Sequence, residues 1–395
     1  MKEVNPLNSF KNLLQIFLIS TRLGLTSFGG PIAHLGYFHE EYVKRKKWLD
    51  EKSYADLVAL CQFLPGPASS QVGIGIGVIK GGVFGGFLSF LGFTMPSVLL
   101  LILFAQFANT FGLTDAGFID GLKLVAVAVV AHAILGMAKN LTPDLSRQTI
   151  ALLALIITVL IPHAFAQVSV IALAAIAGFL MFRDPTEATK TTSFPLSKRF
   201  GAACLTLFVV LLVGLPLLAQ VSSSLWLDLF DRFYRAGALV FGGGHVVLPL
   251  LEREFVATGL ITADEFLAGY GAAQAVPGPL FTFAAYIGTV IAGSLGGLFA
   301  TVAIFLPAFL LIFGVLPFWQ SVRHHDKLRG AFLGVNAAVV GILISAFFHP
   351  IWVTSVQNGF DFAVAALLFF MLMYWKRPPW VIVLTGIVLG TLFYS

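Results

Sequence analysis

Charge is scarce in this sequence. Of its 395 residues only 11% are Asp, Glu, Lys or Arg, while 58% are hydrophobic. A water-soluble domain would be left with too little polar surface, so that class is excluded. Cysteine is nearly absent too. Cys61 and Cys204 sit singly in apolar segments without metal-ligand spacing and read as small hydrophobes. Nucleotide-binding loops, His/Cys metal clusters and nucleophile constellations are also missing, so an ATP-driven mechanism would need another chain and no cofactor is expected. The net charge of +5 comes from loop lysines and arginines, which argues against a nucleic-acid partner. No convincing cleavage site follows the first apolar run, so residues 10–28 read as a retained helix.

What is present is a succession of long apolar runs, among them 200–219, 298–318, 362–375 and 381–394. Several reach the roughly 20 residues that cross a hydrocarbon core of about 30 Å. The expected fold is an all-α polytopic membrane protein with the lipid bilayer as its surroundings.

The chain also repeats itself. Gln62-Phe63-Leu64-Pro65-Gly66-Pro67 returns 212 residues later as Gln274-Ala275-Val276-Pro277-Gly278-Pro279. Upstream, Arg22 and Phe28-Gly29-Gly30 match Arg235 and Phe241-Gly242-Gly243 at an offset of 213. Downstream, Gly85-Gly86 and Pro96 match Gly296-Gly297 and Pro307 at 211. Residues 1–182 form a first half, 183–224 a polar linker with one unmatched helix, and 225–395 a second half. An odd extra crossing would turn the second half upside down. Charge agrees: Lys44-Arg45-Lys46-Lys47 in one half corresponds to an acidic stretch with Glu252, Glu254, Asp264 and Glu265 in the other. Two inverted-topology repeats with broken or re-entrant helices are expected. Two topologies follow. Pro-Gly-Pro segments that cross give 13 spans with Lys44–Lys47 outside; re-entrant ones bring that cluster inside but move the N-terminus out.

The shared landmarks carry the chemistry. A helix must break at Leu64-Pro65-Gly66-Pro67, and Pro67 suits the first turn of a new one. The new helix would present amides around Ala68, Ser69 and Ser70, and in the other half around Leu280, Phe281 and Thr282. Such helix starts favour anions, and Ser69, Ser70 and Thr282 would add hydroxyls. Packing kinks are the bland alternative. Arg22 lies deep in the first helix with no acid one turn away, whereas Arg235 has Asp231 at i−4. A charge near the bilayer centre costs roughly 2.5–3.5 kcal/mol on insertion scales, so each arginine needs a partner or a cavity anion. Glu41 and Glu254 correspond and read first as solvated loop residues, with a coupling-proton role the second reading. His34 and His245 read first as hydrogen-bonded structural groups, with proton sensing the second reading. Lys123 reads as snorkelling to an interface.

With its Phe-Gly-Gly segments at Phe28 and Phe241, its Gln-x-x-Pro-Gly-Pro segments at Gln62 and Gln274, and the run Gly334 to Val340, the chain resembles the long, two-domain chromate ion transporters. The likeness spans nearly the whole chain. It implies about 13 crossings, antiparallel halves, coupling to the membrane gradient and export of chromate across the cytoplasmic (inner) membrane. Asn336 lies in the resembling run, yet Ala126 stands where the first half would need its equivalent. The expected function is secondary export of a chromate-like dianion, giving chromate resistance. The expected substrate-binding set is Arg22, Gly29, Gly30, Gln62, Pro65, Gly66, Pro67, Ser69, Ser70, Arg235, Gly242, Gly243, Gln274, Pro277, Gly278, Pro279, Thr282 and Asn336. Transport of sulfate or another oxyanion, a channel, and a membrane scaffold are the alternatives. The pattern also allows a homodimer.

Overall fold

Glycine and proline decide where this chain turns. The computed structural model of the protein describes residues 6–28, 30–111, 117–161, 164–182, 196–241, 244–318 and 326–394, and every regular element among them is helical. That is the economical solution in hydrocarbon, where each segment must satisfy its own backbone.

Helix α1 (Pro6–Thr26) does not cross. The chain reverses around Gly30, at φ +76°, and α2 (Gly30–Phe38) with its π-helical prolongation His39–Arg45 runs back beside α1. Ser20 Oγ lies 3.1 Å from the Tyr42 hydroxyl, and Arg22 pairs with Glu41, so the two limbs are joined along their length. A second hairpin follows. Helix α3 (Glu51–Phe63) ends at the Pro-Gly-Pro segment, and α4 (Ala68–Phe111) leaves antiparallel to it, bringing Gly75 against Leu57. Gly81 and Gly82 then break α4, with Gly82 at φ +63°, and the chain folds back so that Gly77 touches Gly85. Ser89 Oγ donates to the Gly73 carbonyl at 2.8 Å across this fold. Residues 83–111 continue for about 43 Å, enough for a full crossing.

The crossing part of α4 runs parallel to α1. Gly81 meets Leu13, Gly92 meets Phe17 and Thr21, and Gly24 meets Phe93. Both hairpin tips therefore sit about halfway along the crossing, near Pro96. The first helix was expected to span and instead forms one limb of a re-entrant pair. Its polar groups explain this: Ser20, Arg22 and Ser27 find partners or burial against the returning limb, not lipid.

The second half repeats each step. Helix α9 (Leu225–Ala238) is answered by a returning limb that contains α10 (Val247–Leu251), and α11 (Ala263–Ala275) by α12 (Phe283–Val315). Helix α12 breaks at Ala292 and Gly293, the latter at φ +68°. Gly269 packs on Tyr286, Gly288 on Gly296 and Gly237 on Ile304, each the repeat-related counterpart of a contact in the first half.

The remaining helices brace one half against the other. They are α5 (Gly117–Leu141), α6 (Leu145–Leu160), α7 (Ala164–Met181), the unmatched α8 (Lys198–Val221), α13 (Asp326–Ala346), α14 (Gly359–Met373) and α15 (Pro379–Phe393). Gly117 and Gly121 of α5 meet Gly390 and Gly386 of α15, while Gly178 of α7 meets Gly330 and Gly334 of α13. Small residues four apart let backbones touch, which substitutes for the hydrophobic drive that lipid does not supply. Lys123 of α5 is no snorkelling lysine: it binds Asp120 at 2.7 Å and Asp264 of α11 at 2.9 Å.

Five helices are long and apolar enough to cross a membrane, and four shorter apolar ones accompany them among the described residues. With the four hairpins they make thirteen membrane segments, of which nine cross, fewer than the thirteen crossings expected. Since both hairpins of the first half return to the face they left, the N-terminal end of α1 and Lys44–Lys47 share a face. The conflict between the two topologies disappears. Lys80, which stacks over Trp48 at 5.3 Å, Lys139, Lys198, Arg199, Lys376 and Arg377 lie on that face as well. On the opposite face Lys123, Arg232 and Arg253 each have a carboxylate beside them.

This arrangement predicts that Lys46→Cys and Ala257→Cys are reached from opposite sides. In sealed vesicles, a membrane-impermeant maleimide added to one side should modify one position and spare the other. Cys61 and Cys204 are buried and should stay silent. Modification of both from one side would contradict the inversion.

Candidate functional site

The two Pro-Gly-Pro tips meet the opposite half at the centre of the molecule. Gly66 takes φ +112° and Gly278 φ +105°, left-handed conformations that a Cβ would strain. Each glycine aims its amide across the repeat boundary. Gly66 N donates to the Val240 carbonyl at 2.7 Å, and Gly278 N donates to the Ser27 carbonyl at 3.0 Å. Ser27 and Val240 are themselves repeat-related, following α1 and α9. The contacts are thus reciprocal. Beyond the first tip, the earliest helical bond of α4 runs from Gln71 N to Pro67 O, so the Ala68, Ser69 and Ser70 amides face the tip. Beyond the second, a single 3-10 turn, Leu280–Thr282, precedes α12.

A cavity of about 410 Å³ opens beside the second tip, within the roughly 300–1,000 Å³ usual for small-molecule sites. Its inner wall is Gly278, Leu280 and Gln274, with Gly30 and Pro31 of the first hairpin opposite. His132 of α5 and His245 line its middle, and Lys376 and Arg377 stand at its edge on the lysine-rich face. The Gln274 Nε2 donor is buried without a partner. His245 Nδ1 lies 2.7 Å from the Tyr270 hydroxyl, which orients the ring. Among the described residues no acidic side chain lines the cavity. Its wall combines apolar side chains such as Val129, Val276, Leu280 and Leu372 with the Gln274 donor, two histidines and two basic residues.

Access is one-sided. In α5, residues 117–130 are almost entirely buried, whereas 131–140 are partly or fully exposed. Helix α3 exposes Ala55 and Gln62, while in its counterpart α11 residues 266–273 are all buried. The hairpins of the first half thus border open space on the basic face, and those of the second are sealed on the other.

Of the residues expected from sequence, Gly30, Gln274 and Gly278 line the cavity, and Pro277 and Pro279 flank the last. Pro65, Gly66 and Pro67 are buried in the other tip. Ser69 and Ser70 are buried behind it, with Ser69 Oγ 3.3 Å from His34 Nδ1. Gln62 is exposed, and neither it nor the half-buried Asn336 reaches the cavity. The Thr282 hydroxyl is spent on its own turn, donating to Pro279 O at 2.8 Å. Gly29, Gly242 and Gly243 lie outside the described residues.

The arginines need the largest correction. Arg22 has no acid on its own helix, but Glu41 of the returning limb binds it at 2.5 Å. Arg235 binds the repeat-related Glu254 at 2.6 Å as well as Asp231 at 2.9 Å. Glu41 is buried, not solvated, and Glu254 is largely so. Neither guanidinium reaches the cavity; both rivet a hairpin. Sequence reasoning also missed His132 as a wall of the site. A lone histidine in the apolar run 128–135 gives no periodic signal. Lys376 and Arg377 stand in the sequence as a basic pair between two apolar runs, with nothing local to tie them to a site.

Inverted hairpin pairs around a central one-sided pocket define a multi-pass membrane transporter. Comparison with known proteins agrees and is more specific. The family model described as "Chromate transporter" matches residues 14–180 and 227–391. The chain belongs to the chromate transporter family. It is 27% identical over 389 residues to a chromate transport protein of Pseudomonas aeruginosa, covering 96% of this chain and 91% of the relative. A probable chromate transport protein of Synechococcus elongatus is 28% identical, with 99% and 98% covered. An uncharacterized transporter of Methanocaldococcus jannaschii is 28% identical, with 96% and 94% covered. No solved structure matches.

If the arginines are rivets, removing one alone should be worse than removing the pair. Arg235→Gln strips the buried Asp231 of this partner and leaves Glu254 only the 3.7 Å contact with Arg232, and should cost about 3 kcal/mol, read as lost thermal stability in detergent. Arg22→Gln combined with Glu41→Gln should recover more flux and stability than Arg22→Gln alone. A double variant as defective as the single one in flux, yet fully stable, would make Arg22 a substrate ligand.

Proposed function

We propose that the protein is a secondary transporter that exports chromate across the cytoplasmic membrane by alternating access, and so confers chromate resistance. The observation that carries this reading is the acid-free cavity beside the second Pro-Gly-Pro tip, with its unpaired Gln274 donor and basic rim. Lysine-rich and arginine-rich segments favour the cytoplasmic side, so the open face is assigned to the cytoplasm and the C-terminal end of α15 to the outside. Lys376 and Arg377 would gather the dianion. Gln274, the backbone at Gly278 and the His132 and His245 rings would replace part of its hydration, with Leu280 and Phe281 supplying helix-start amides. Closure of the first-half hairpins and opening of the second would pass the ion outward, with Gln62 and Gly66 taking the part of Gln274 and Gly278.

Energetics favour this direction. With the interior negative, moving two negative charges outward releases about 4.6 kcal/mol per 100 mV, from roughly 2.3 per charge. Chromate is favoured over other tetrahedral dianions by the names of the Pseudomonas and Synechococcus relatives. Sulfate has the same shape and charge, and it is the second reading. A channel is disfavoured because residues 266–273 are buried on the side opposite the cavity.

Purified protein in liposomes tests this directly. An imposed potential should drive saturable chromate movement in the sense of export, and sulfate should compete weakly. Lys376→Glu with Arg377→Glu should raise the half-saturating chromate concentration about tenfold or more at low salt, with the gap narrowing as salt screens the rim. Unsaturable flux, or flux indifferent to this reversal of charge, would argue for a pore or a different pocket.

A further inference from the structure

The two halves match in backbone but not in the chemistry of their interiors. Behind the first tip Ser27, His34, Ser69, Ser70, Gln71 and Thr94 are all buried. The repeat-related positions in the second half hold Val240, Val247, Phe281, Thr282, Phe283 and Phe305. The polar set is also incompletely satisfied. Ser27 Oγ, His34 Nε2, Ser70 Oγ, Gln71 Oε1 and Thr94 Oγ1 are buried without hydrogen-bond partners. Such groups at bilayer depth are costly, and a cluster of them in one half marks a site.

His34 occupies a mechanically sensitive place in this cluster. Its Nδ1 lies 3.3 Å from Ser69 Oγ on the limb leaving the first tip, and its ring packs edge-on against Phe93 at 5.2 Å. It also faces the Ser27 backbone, whose carbonyl accepts the Gly278 amide of the second tip. One imidazole therefore lies against the limb that leaves the first tip and beside the backbone strap that receives the second. Its neighbours from α1 and α4 are Ser27, Ser69 and Phe93, none of them charged. Along its own limb the nearest histidine and carboxylate groups are His39, Glu40 and Glu41, paired respectively with Glu51, Arg45 and, on α1, Arg22.

We propose that His34 is the proton-carrying site of the transporter, exchanging an incoming proton for the outgoing anion. This rests on the transport reading above. Adding a proton makes both ring nitrogens donors. Nε2, buried without a partner in this conformation, then becomes a donor. A ring N–H directed at the Ser27 carbonyl competes with the Gly278 amide and loosens the strap; loss of the proton restores it. His34 is 1% exposed in the conformation open to the basic face. By the repeat symmetry, the opposite conformation opens the first tip, and with it His34, to the outside after the anion has left. The proton then returns with the hairpins and is released inside. Nothing is made or broken beyond one N–H bond.

Proteoliposomes loaded with chromate and clamped at zero potential test the exchange, because anion-for-proton antiport responds alike in either orientation of the protein. External acid should accelerate wild-type chromate efflux by about threefold per pH unit, below the roughly tenfold ceiling that one unit sets for a single proton. A dye inside should report proton entry that depends on chromate loading. His34→Gln should abolish both responses while potential-driven chromate flux persists; His34→Asn, which keeps a donor toward Ser69, should do the same if the first variant misfolds. Retained acid stimulation in either folded variant overturns the proposal. So does a wild type that moves chromate with potential and takes up no protons, which leaves the transport reading standing. Absence of chromate flux under both driving forces removes the transport reading, and this proposal with it.

Discussion

Two backbone hydrogen bonds hold the centre of this molecule together. Gly66 reaches Val240 and Gly278 reaches Ser27, each from the tip of one half to the end of the other half's first helix. Backbone groups at that depth have no bulk water to fall back on, so each amide must find a protein acceptor. The acceptors exist because α1 and α9 stop in mid-membrane and leave terminal carbonyls open. The tips exist because proline ends a helix and glycine permits the left-handed turn between them. Hairpins, crossings and pocket are arranged around this mutual need.

Charge placement follows the same logic. A hairpin that dips halfway and returns brings groups nineteen residues apart side by side, so a guanidinium on one limb can be neutralised by a carboxylate on the other. Arg22 with Glu41 and Arg235 with Glu254 are that solution used twice. With those cations paired to carboxylates, the basic residues that line the cavity are Lys376 and Arg377. The halves share a scaffold and divide the chemistry: one interior is polar, the other aromatic.

Legibility in the sequence tracked how local the cause was. The break at Pro65-Gly66-Pro67 and its twin could be placed to the residue, because proline acts on its immediate neighbours. The inverted relation was also readable, from Lys44–Lys47 set against an acidic counterpart. That α1 reverses was not read, although Lys11, Asn12, Gln15 and Arg22 keep it out of the helices apolar enough to span; Ser20 against Tyr42 and Arg22 against Glu41 show the return. The ion pairs were missed, as their acids become neighbours only once the chain doubles back. Thr282 looked like a free donor because nothing in its sequence says that its turn is 3-10 and consumes the hydroxyl. His132 joins the pocket solely through the docking of α5 beside the second half.

Helix α8 is the one segment without a twin, and only about a tenth of its most apolar stretch is buried in the protein. It contributes little to the core, yet it alone turns the second half over. A lone half lacking it could satisfy its glycine amide only by meeting a copy inserted the other way up. Fusion through a single odd crossing replaces that dependence on chance orientation with a covalent guarantee, and it frees the two interiors to diverge.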